Sequence, residues 1–272
     1  MRVTREGTGR TALVTGASSG IGAAFARVLA ARGYRLVLTA RRADRLESLA
    51  SELRDRHGVE ADIIGADLSD PAAPARLAAD LLRRGLQVDL LVNNAGYGVP
   101  GRFEQPAWGQ HEAFLRVMVT AVCELTYRLL PGMVERRWGR IINVASLAGH
   151  MPAPAGHTLY AASKSFVIRF SEALAAERAG DGVYTTAVCP GFTYSEFHDI
   201  TGTRAKVSRM PSFLWMDAAS VAEQGYAAVM RGDPVYITGR VNRTIAWLAR
   251  VMPSSVVRHV VGASGRRYRK VD

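Results

Sequence analysis

Residues 11–22 read TALVTGASSGIG, in which a short β-type run leads straight into a glycine-rich loop. The spacing predicts that Gly16 permits a tight turn, Gly20 lets the backbone approach a pyrophosphate, and Gly22 lets helix and strand pack closely. A helix that starts after such a loop offers free N–H groups to an anion. The alternative is glycines that serve only a turn and a helix cap. The strand before the loop and the helix after it disfavour that alternative.

The rest of the chain alternates short β-rich runs with longer stretches whose apolar residues recur every three or four positions. The β-rich runs are 11–15, 35–39, 62–65, 88–92, 140–144, 183–188 and 235–238. The helical stretches include 22–32, 44–57, 74–84, 107–137 and 159–179. This alternation, with strands that are apolar on both faces, predicts a doubly wound α/β fold: a seven-stranded parallel sheet with helices on both faces.

The composition narrows the functional classes. A chain of 272 residues that is 48% hydrophobic is not disordered. Its net charge of +11 would suit an anionic partner, but the arginines are scattered, which disfavours nucleic acid. Cys123 and Cys189 lie far apart in apolar surroundings, so we expect buried, reduced thiols and neither a disulfide nor a metal site. The N-terminus does not resemble a secretory signal, and a cytoplasmic protein is the default expectation.

The chain divides into an N-terminal tail (1–9), a dinucleotide-binding and catalytic domain (10–240) and a basic C-terminal extension (241–272). The pattern at 245–252 predicts an amphipathic helix, and a basic tail follows it with Arg258, Arg266, Arg267, Arg269 and Lys270. This pattern leaves peripheral membrane association open as a less favoured hypothesis.

Four further motifs follow the glycine loop in chain order. They are Asn93-Asn94-Ala95-Gly96, Ser146, Tyr160-Ala161-Ala162-Ser163-Lys164 and Pro190-Gly191. With the Gly-x-x-x-Gly-x-Gly loop, they resemble the short-chain dehydrogenase/reductase family over about residues 10–239. The resemblance implies a Rossmann-type fold that binds NAD or NADP, a small-molecule carbonyl or alcohol substrate, and assembly as a homodimer or homotetramer.

The end of the second β-run bears on the choice of cofactor. It reads Leu38-Thr39-Ala40-Arg41-Arg42, with no acidic residue to accept hydrogen bonds from a ribose 2′-hydroxyl. Ala40 leaves room for a phosphate and the Arg41 guanidinium can bind one, so NADP is favoured. The alternative is that Arg41 and Arg42 are only surface charges. The cofactor-binding residues expected from the loop and the resemblance are Gly16, Ser18, Ser19, Gly20, Ile21, Gly22, Arg41, Asp67, Leu68, Asn94, Ala95, Gly96, Tyr160, Lys164, Pro190, Gly191 and Thr193.

The candidate catalytic residues are Ser146, Tyr160 and Lys164. Tyr160 and Lys164 are four residues apart, so a helix would point both side chains toward one site. The Lys164 ammonium can favour a Tyr160 phenolate, which suits proton transfer near neutral pH. The resemblance implies that Ser146 hydrogen-bonds the substrate oxygen and that Lys164 also holds the nicotinamide ribose.

One position departs from the family pattern. Family members usually place an asparagine in the long helix after the fourth strand, and the aligned residue here is Met118. The resemblance implies that this asparagine holds a water that links the lysine to solvent, whereas a thioether is a weak acceptor. Thr120 or a backbone carbonyl is an alternative holder of that water.

The segment after Gly191 is strongly apolar, and the resemblance implies a lid over the substrate. Its residues include Phe192, Thr193, Tyr194, Ser195, Phe197, Ile200, Met210, Phe213, Leu214, Trp215 and Met216. A lid of this kind favours an apolar ketone or aldehyde as the substrate. An equal alternative is that these apolar side chains pack in the core or against another subunit. His150 and His157 flank the active-site loop without a metal-binding partner at useful spacing, which indicates structural or surface roles.

The sequence therefore predicts an NADP-dependent oxidoreductase that transfers hydride between the nicotinamide and a carbonyl or secondary alcohol. The alternative is a catalytically impaired NADP-binding or interaction protein of the same fold, which Met118 and the basic extension motivate.

Overall fold

A computed structural model describes residues 5–153, 155–156, 158–194, 211–259 and 261. Its strands are β1 (Thr11–Thr15), β2 (Arg35–Thr39), β3 (Ala61–Ile63), β4 (Val88–Asn93), β5 (Gly139–Val144), β6 (Val183–Cys189), β7 (Phe192–Tyr194), β8 (Trp215–Asp217) and β9 (Val235–Ile237). Its α-helices are α1 (Gly20–Ala31), α2 (Ala43–His57), α3 (Ala73–Arg83), α4 (Trp108–Leu115), α5 (Ala121–Glu135), α6 (Thr158–Glu177), α7 (Ala218–Arg231) and α8 (Arg240–Val251).

Seven parallel strands form one sheet in the order β3-β2-β1-β4-β5-β6-β9. Every residue of β1 and of β5 is buried, because helices cover both faces of the sheet. The strand order reverses between β1 and β4, which opens a crevice at the carboxyl ends of these strands. The predicted doubly wound fold is confirmed.

The predicted helix over 107–137 is interrupted by a π-helical turn at Arg116–Thr120, which joins α4 to α5. The stretch Trp108–Glu135 is long and apolar enough to cross a membrane by length and hydropathy alone. Here Val117, Leu125 and Met133 are buried in the core beside the sheet. Packing against the sheet therefore accounts for its apolar character.

Two features near the C-terminus differ from the sequence prediction. The strands β7 and β8 pair in a second small parallel sheet, so the two ends of the predicted lid lie side by side. The helix predicted at 245–252 starts earlier, at Arg240.

Both cysteines are free, but only Cys189 is buried. Burial raises the pKa of the Cys189 thiol to about 12. Cys123 is only half-buried, so the expectation of two buried thiols is wrong for Cys123.

Candidate active site

The glycine loop between β1 and α1 adopts a conformation that side chains would block. Gly16 and Gly20 have φ values of 65° and 56°, in the left-handed region. A Cβ at Gly16 would lie 2.8 Å from the Cα of Ala95, and one at Gly22 would clash with the carbonyl oxygen of Gly16. The loop can therefore pass close to the end of β4 only because these positions are glycines.

The motif after β4 holds this loop in place. The Asn94 side-chain amide donates hydrogen bonds to the carbonyl oxygens of Thr15 (2.9 Å) and Gly16 (3.3 Å). The Thr15 hydroxyl oxygen accepts from the backbone N–H groups of Asn94 (2.9 Å) and Ala95 (3.0 Å). Asn94 and Ala95 thus brace the loop, and their contact with a cofactor stays a prediction.

The start of α1 fits a pyrophosphate group. Ser19 is the N-cap of this fully described helix, yet its side chain does not cap the helix, and the first turn contains no acidic residue. The N–H groups of the first helical turn and the positive end of the helix dipole therefore face the loop, and no acidic side chain of that turn neutralises them. This is the arrangement that the glycine spacing predicts for a dinucleotide.

Two arginines follow β2, and they take different positions. Arg42 donates hydrogen bonds to the hydroxyl oxygens of Ser18 (3.0 Å) and Ser19 (3.0 Å), which ties it to the glycine loop. Sequence reasoning missed this role, and the adjacent pair of arginines was its only signal. Arg41 is exposed and acts electrostatically on Asp67.

The predicted adenine contacts, Asp67 and Leu68, follow β3. Partial burial opposes ionisation of Asp67, but hydrogen bonds from Ser69 and the positive charge of Arg41 hold its pKa below the usual value. Asp67 is exposed, whereas Leu68 is buried in the core. Only the first of the two therefore presents its side chain to solvent.

Ser146 lies just beyond β5 and starts a short 3₁₀ turn, Leu147–His150. Its hydroxyl oxygen accepts a hydrogen bond from the backbone N–H of Ala148 at 3.1 Å. The next residue, Leu147, donates its backbone N–H to the carbonyl oxygen of Pro190 at 2.9 Å. The turn therefore fixes Ser146 at the carboxyl edge of the sheet, beside the Pro190-Gly191 motif.

Lys164 and Tyr160 both lie in the first half of α6, as predicted. The Lys164 ammonium donates a hydrogen bond to the carbonyl oxygen of Val144 at 2.7 Å, and its Nζ is 5.9 Å from the centre of the Tyr160 ring. Burial lowers the pKa of Lys164 to about 8. A cationic group is thus held at the end of β5, beside a half-buried phenol.

A close approach locks the Ser146 turn onto α6. A Cβ at Gly149 would lie 2.8 Å from the backbone carbon of Lys164 and 2.7 Å from Cδ1 of Ile168. The Ser165 hydroxyl donates to the Gly149 carbonyl oxygen at 2.7 Å. Gly149 is therefore a positioning residue that sequence reasoning missed.

A buried polar network connects the strands behind the site. The Asn93 amide donates to the side-chain oxygens of Asn143 (2.9 Å) and Thr126 (3.2 Å). The Asn143 amide in turn donates to the Ser171 hydroxyl oxygen on α6 at 2.9 Å. The network joins β4, β5, α5 and α6, and so it fixes α6 relative to the sheet.

A small cavity lies against Tyr160, and its walls come from the β4–α4 connection and the start of α6. Its lining residues are Val99, Gly101, Arg102, Phe103, Pro106, His111, Phe114, Gly156, Thr158, Leu159 and Tyr160. His111 is buried, stacks on Phe103 at 4.9 Å and hydrogen-bonds the Phe103 carbonyl oxygen at 2.7 Å. Sequence reasoning missed this wall, since the residues form no motif.

The predicted lid is described only at its ends. Thr193 is buried and donates its hydroxyl to the Gly191 carbonyl oxygen at 3.2 Å. Tyr194 stacks on Trp215 at 4.7 Å between ring centres. Ser195, Phe197, Ile200 and Met210 lie outside the described residues, as does His157.

Met118 lies in the π-helical turn and is buried. A Cβ at Gly96 would lie 2.9 Å from the Met118 sulfur, so the thioether contacts the end of the motif after β4. Thr120 is exposed, in contrast to Met118. The buried side chain at the family's asparagine position is thus a thioether without a strong hydrogen-bonding group.

Comparison with known proteins agrees with this geometry. A family model for short chain dehydrogenase matches residues 10–204. The chain belongs to the short-chain dehydrogenase/reductase family. Nodulation protein G of Rhizobium sp. (strain N33) is 38% identical over 253 residues, which cover 90% of this chain and 99% of that protein. The very-long-chain 3-oxoacyl-CoA reductase of Anas platyrhynchos is 33% identical over 273 residues, which cover 97% of this chain and 82% of that protein.

A solved structure of another short-chain dehydrogenase shares the fold. It is the enzyme from Sphingobium yanoikuyae in complex with NADPH, and it matches with a TM-score of 0.78 and 31% identity. The match covers 90% of this chain and 97% of that one. This chain is therefore a member of an oxidoreductase family with a Rossmann-type fold, as the sequence motifs predicted.

Proposed function

We propose that this protein is an NADP-dependent oxidoreductase that moves hydride between the nicotinamide and a carbonyl or secondary alcohol carbon of an apolar small molecule. The observation that carries the proposal is the buried Lys164 ammonium, fixed at the Val144 carbonyl oxygen and 5.9 Å from the Tyr160 ring. A buried cation costs folding free energy, and this one lies where it can make a phenol acidic.

Three side chains divide the work in the direction of carbonyl reduction. Tyr160 donates its hydroxyl proton to the substrate oxygen, and the Lys164 charge stabilises the phenolate that remains. The Ser146 hydroxyl, whose oxygen accepts from the Ala148 N–H, has its own hydrogen to donate to the same substrate oxygen. Bound NADPH would supply the hydride. In alcohol oxidation, the Tyr160 phenolate accepts the proton instead.

NADP is the proposed cofactor because the residues after β2 are Ala40, Arg41 and Arg42, with no carboxylate among them. Arg42 lies at the glycine loop and exposed Arg41 beside it in sequence, so two guanidinium groups can bind a 2′-phosphate. The NADPH complex of the Sphingobium yanoikuyae relative supports this choice.

The proposed substrate is apolar because the cavity beside Tyr160 has walls from Val99, Phe103, Phe114 and Leu159. The apolar ends of the lid, β7 and β8, support the same choice. The Anas platyrhynchos relative, a very-long-chain 3-oxoacyl-CoA reductase, is named for a substrate with a long apolar chain. We also propose a cytoplasmic location and a homodimeric or homotetrameric assembly, as the family resemblance implies.

A panel of ketones and aldehydes with NADPH tests the proposal. The wild type is expected to consume NADPH with apolar members of the panel. Tyr160→Phe should lose at least about a hundredfold in kcat, the lower range for general acid–base catalysis, while it still binds NADPH. Equal rates for the wild type and Tyr160→Phe would contradict the assignment of Tyr160.

A further inference from the structure

The outer face of α8 presents apolar side chains to solvent. Within this helix only Asn242 is buried, and its amide donates to the Thr238 carbonyl oxygen at 2.8 Å. On the opposite side, Val241, Leu248 and Val251 are exposed, and their spacing of seven and three residues places them on one helical face.

Trp247 is the largest exposed side chain of this face, with 61% of its surface accessible. Met252 and Val256 continue the apolar surface beyond the helix, where residues 254–259 are again helical. We call these six residues the α8 apolar strip: Val241, Trp247, Leu248, Val251, Met252 and Val256. Tryptophan at the centre of such a surface is typical of a membrane–water interface.

Positive charge borders the strip. Arg243 and Arg250 are exposed on α8, and Arg258 is exposed on the following turn. In the sequence, no aspartate or glutamate occurs between Asp233 and Asp272, and four more basic residues lie near the C-terminus. An exposed apolar face bordered by arginines, with no acidic residue in the segment, is complementary to an anionic lipid surface.

A second copy of this chain fits the strip less well. In a symmetric dimer, the same patch of both subunits meets across the interface. The arginines that border both copies of α8 would then lie in one interface, and residues 234–271 offer no carboxylate to compensate them. The charge pattern therefore favours phospholipid headgroups over self-association.

The strip lies close to the candidate active site. Helix α8 packs against the Leu147–His150 turn that follows Ser146, and against the segment Ser212–Leu214. Phe213 in that segment is also exposed, with 66% of its surface accessible. A surface that binds α8 would therefore lie near the turn that carries Ser146.

We propose that the α8 apolar strip and its flanking arginines dock this protein on an anionic phospholipid surface. Apolar side chains enter the interface, and the arginines pair with phosphate groups of the lipids. This inference does not depend on the proposed oxidoreductase activity.

Co-sedimentation of the full-length protein with vesicles tests the proposal. Vesicles of phosphatidylcholine and phosphatidylglycerol in equal parts should bind the protein, and pure phosphatidylcholine vesicles should not. Binding should weaken as salt is added. The triple variant Trp247→Ser, Leu248→Ser and Val251→Ser should bind at least about tenfold more weakly. Leu82→Ser, at an exposed leucine on α3, is the matched control and should bind like the wild type.

Charge variants and fluorescence give independent readouts. Arg243→Gln with Arg250→Gln should weaken binding by roughly ten- to thirtyfold, since each arginine near an anionic surface contributes about fivefold. Arg84→Gln, at an exposed arginine after α3, is the control. Trp247→Phe should still sediment with vesicles, but it should lose part of the blue shift in tryptophan emission that binding causes.

Three results would overturn the proposal. One is a wild type that stays in solution with anionic vesicles at low salt. Another is a triple variant that binds as tightly as the wild type. The third is a wild type that does not bind vesicles but forms a dimer, together with a triple variant that is monomeric. That result would assign the strip to self-association.

Discussion

The pKa of Lys164 falls to about 8 because the side chain is buried at the end of β5. Its charged form therefore predominates below that pH and is lost as the pH rises through it. The charge is what favours the Tyr160 phenolate that forms in carbonyl reduction. We predict that kcat/KM for reduction declines as the pH rises through about 8, in a pH–rate profile.

Lys164→Arg is the matched variant for this profile. Arginine keeps its charge at any pH that the protein survives, so whatever activity remains should not decline in that range. A wild-type rate that stays constant as the pH rises through about 8 would contradict the role of the Lys164 charge.

Arg41 should set the choice between NADPH and NADH. A charge-assisted hydrogen bond to the 2′-phosphate contributes roughly 1.5 to 3 kcal/mol, so Arg41→Ala should lower the NADPH/NADH ratio of kcat/KM by roughly ten- to a hundredfold. Arg42→Ala should weaken both cofactors, because Arg42 also holds Ser18 and Ser19. An unchanged ratio in Arg41→Ala would show that Arg41 is only a surface charge.

Met118 should limit the supply of protons to Lys164. The family's asparagine position is filled by a buried thioether against Gly96, which cannot hold a water as an amide does. We predict that Met118→Asn raises kcat by about tenfold, which is less than the hundredfold or more of a whole general acid–base group because only the water relay is restored. If steady-state kinetics show no gain, a different route must carry the proton.

The site residues that the sequence predicts are those with a fixed chemical type at a fixed spacing. Ser146 lies just beyond β5 and Tyr160 and Lys164 lie on α6, which are the places that the motif order predicts. The hydrogen bonds of Arg42 to the glycine loop were not predicted, because a guanidinium can reach several groups and its position along the chain does not determine its partner. The cavity wall was not predicted because Phe103 lies in a loop, where side-chain directions follow no period, and its stacking partner His111 on α4 belongs to no motif.

Among the elements, the 3₁₀ turn Leu147–His150 depends on its contact with α6. In Gly149→Ala, the new Cβ would lie 2.8 Å from the Lys164 backbone carbon, so the turn or the helix must shift. A shift of about 1 Å at a catalytic group costs up to a hundredfold in rate, and we expect kcat to fall roughly ten- to a hundredfold. Steady-state kinetics measure the effect.

Gly109→Ala on α4 is the control for this substitution, since its Cβ would meet no atom within 4 Å. It should retain the wild-type kcat. Equal kcat values for the two variants would contradict the positioning role of Gly149.

The central strands of the main sheet, such as β1 and β5, were predictable because burial on both faces leaves continuous apolar runs. The π-helical turn Arg116–Thr120 was not, since one extra residue in a helix changes the periodicity too little to be seen. The pairing of β7 with β8 was also not predicted, because each strand has only three residues and the two are far apart in sequence.

Across the whole molecule, the Asn93–Asn143–Ser171 network joins two central strands to α6. Asn143 is completely buried, so Asn143→Ala leaves the Asn93 amide and the Ser171 hydroxyl without this partner. The Asn93 amide keeps its bond to Thr126 and the Ser171 hydroxyl still donates to the Val167 carbonyl oxygen, so each group loses one of its two buried hydrogen bonds, at about 1–2 kcal/mol per bond. We predict a fall of roughly 2–4 kcal/mol in the free energy of unfolding, measured by urea denaturation. Ser69→Ala, at a partly exposed loop position, is the control, and an unchanged midpoint for Asn143→Ala would contradict this account.

In the proposed reaction, Tyr160 exchanges a proton with the substrate oxygen while hydride passes directly between the cofactor and the substrate carbon. NADPH that carries two deuterium atoms at C4 of the nicotinamide follows the hydride itself. With an apolar ketone, the wild type should place one deuterium on the carbinol carbon of the product. Tyr160→Phe should bind the labelled cofactor and form almost no labelled alcohol. An alcohol product without deuterium would contradict direct hydride transfer, and equal labelling by both proteins would contradict the role of Tyr160.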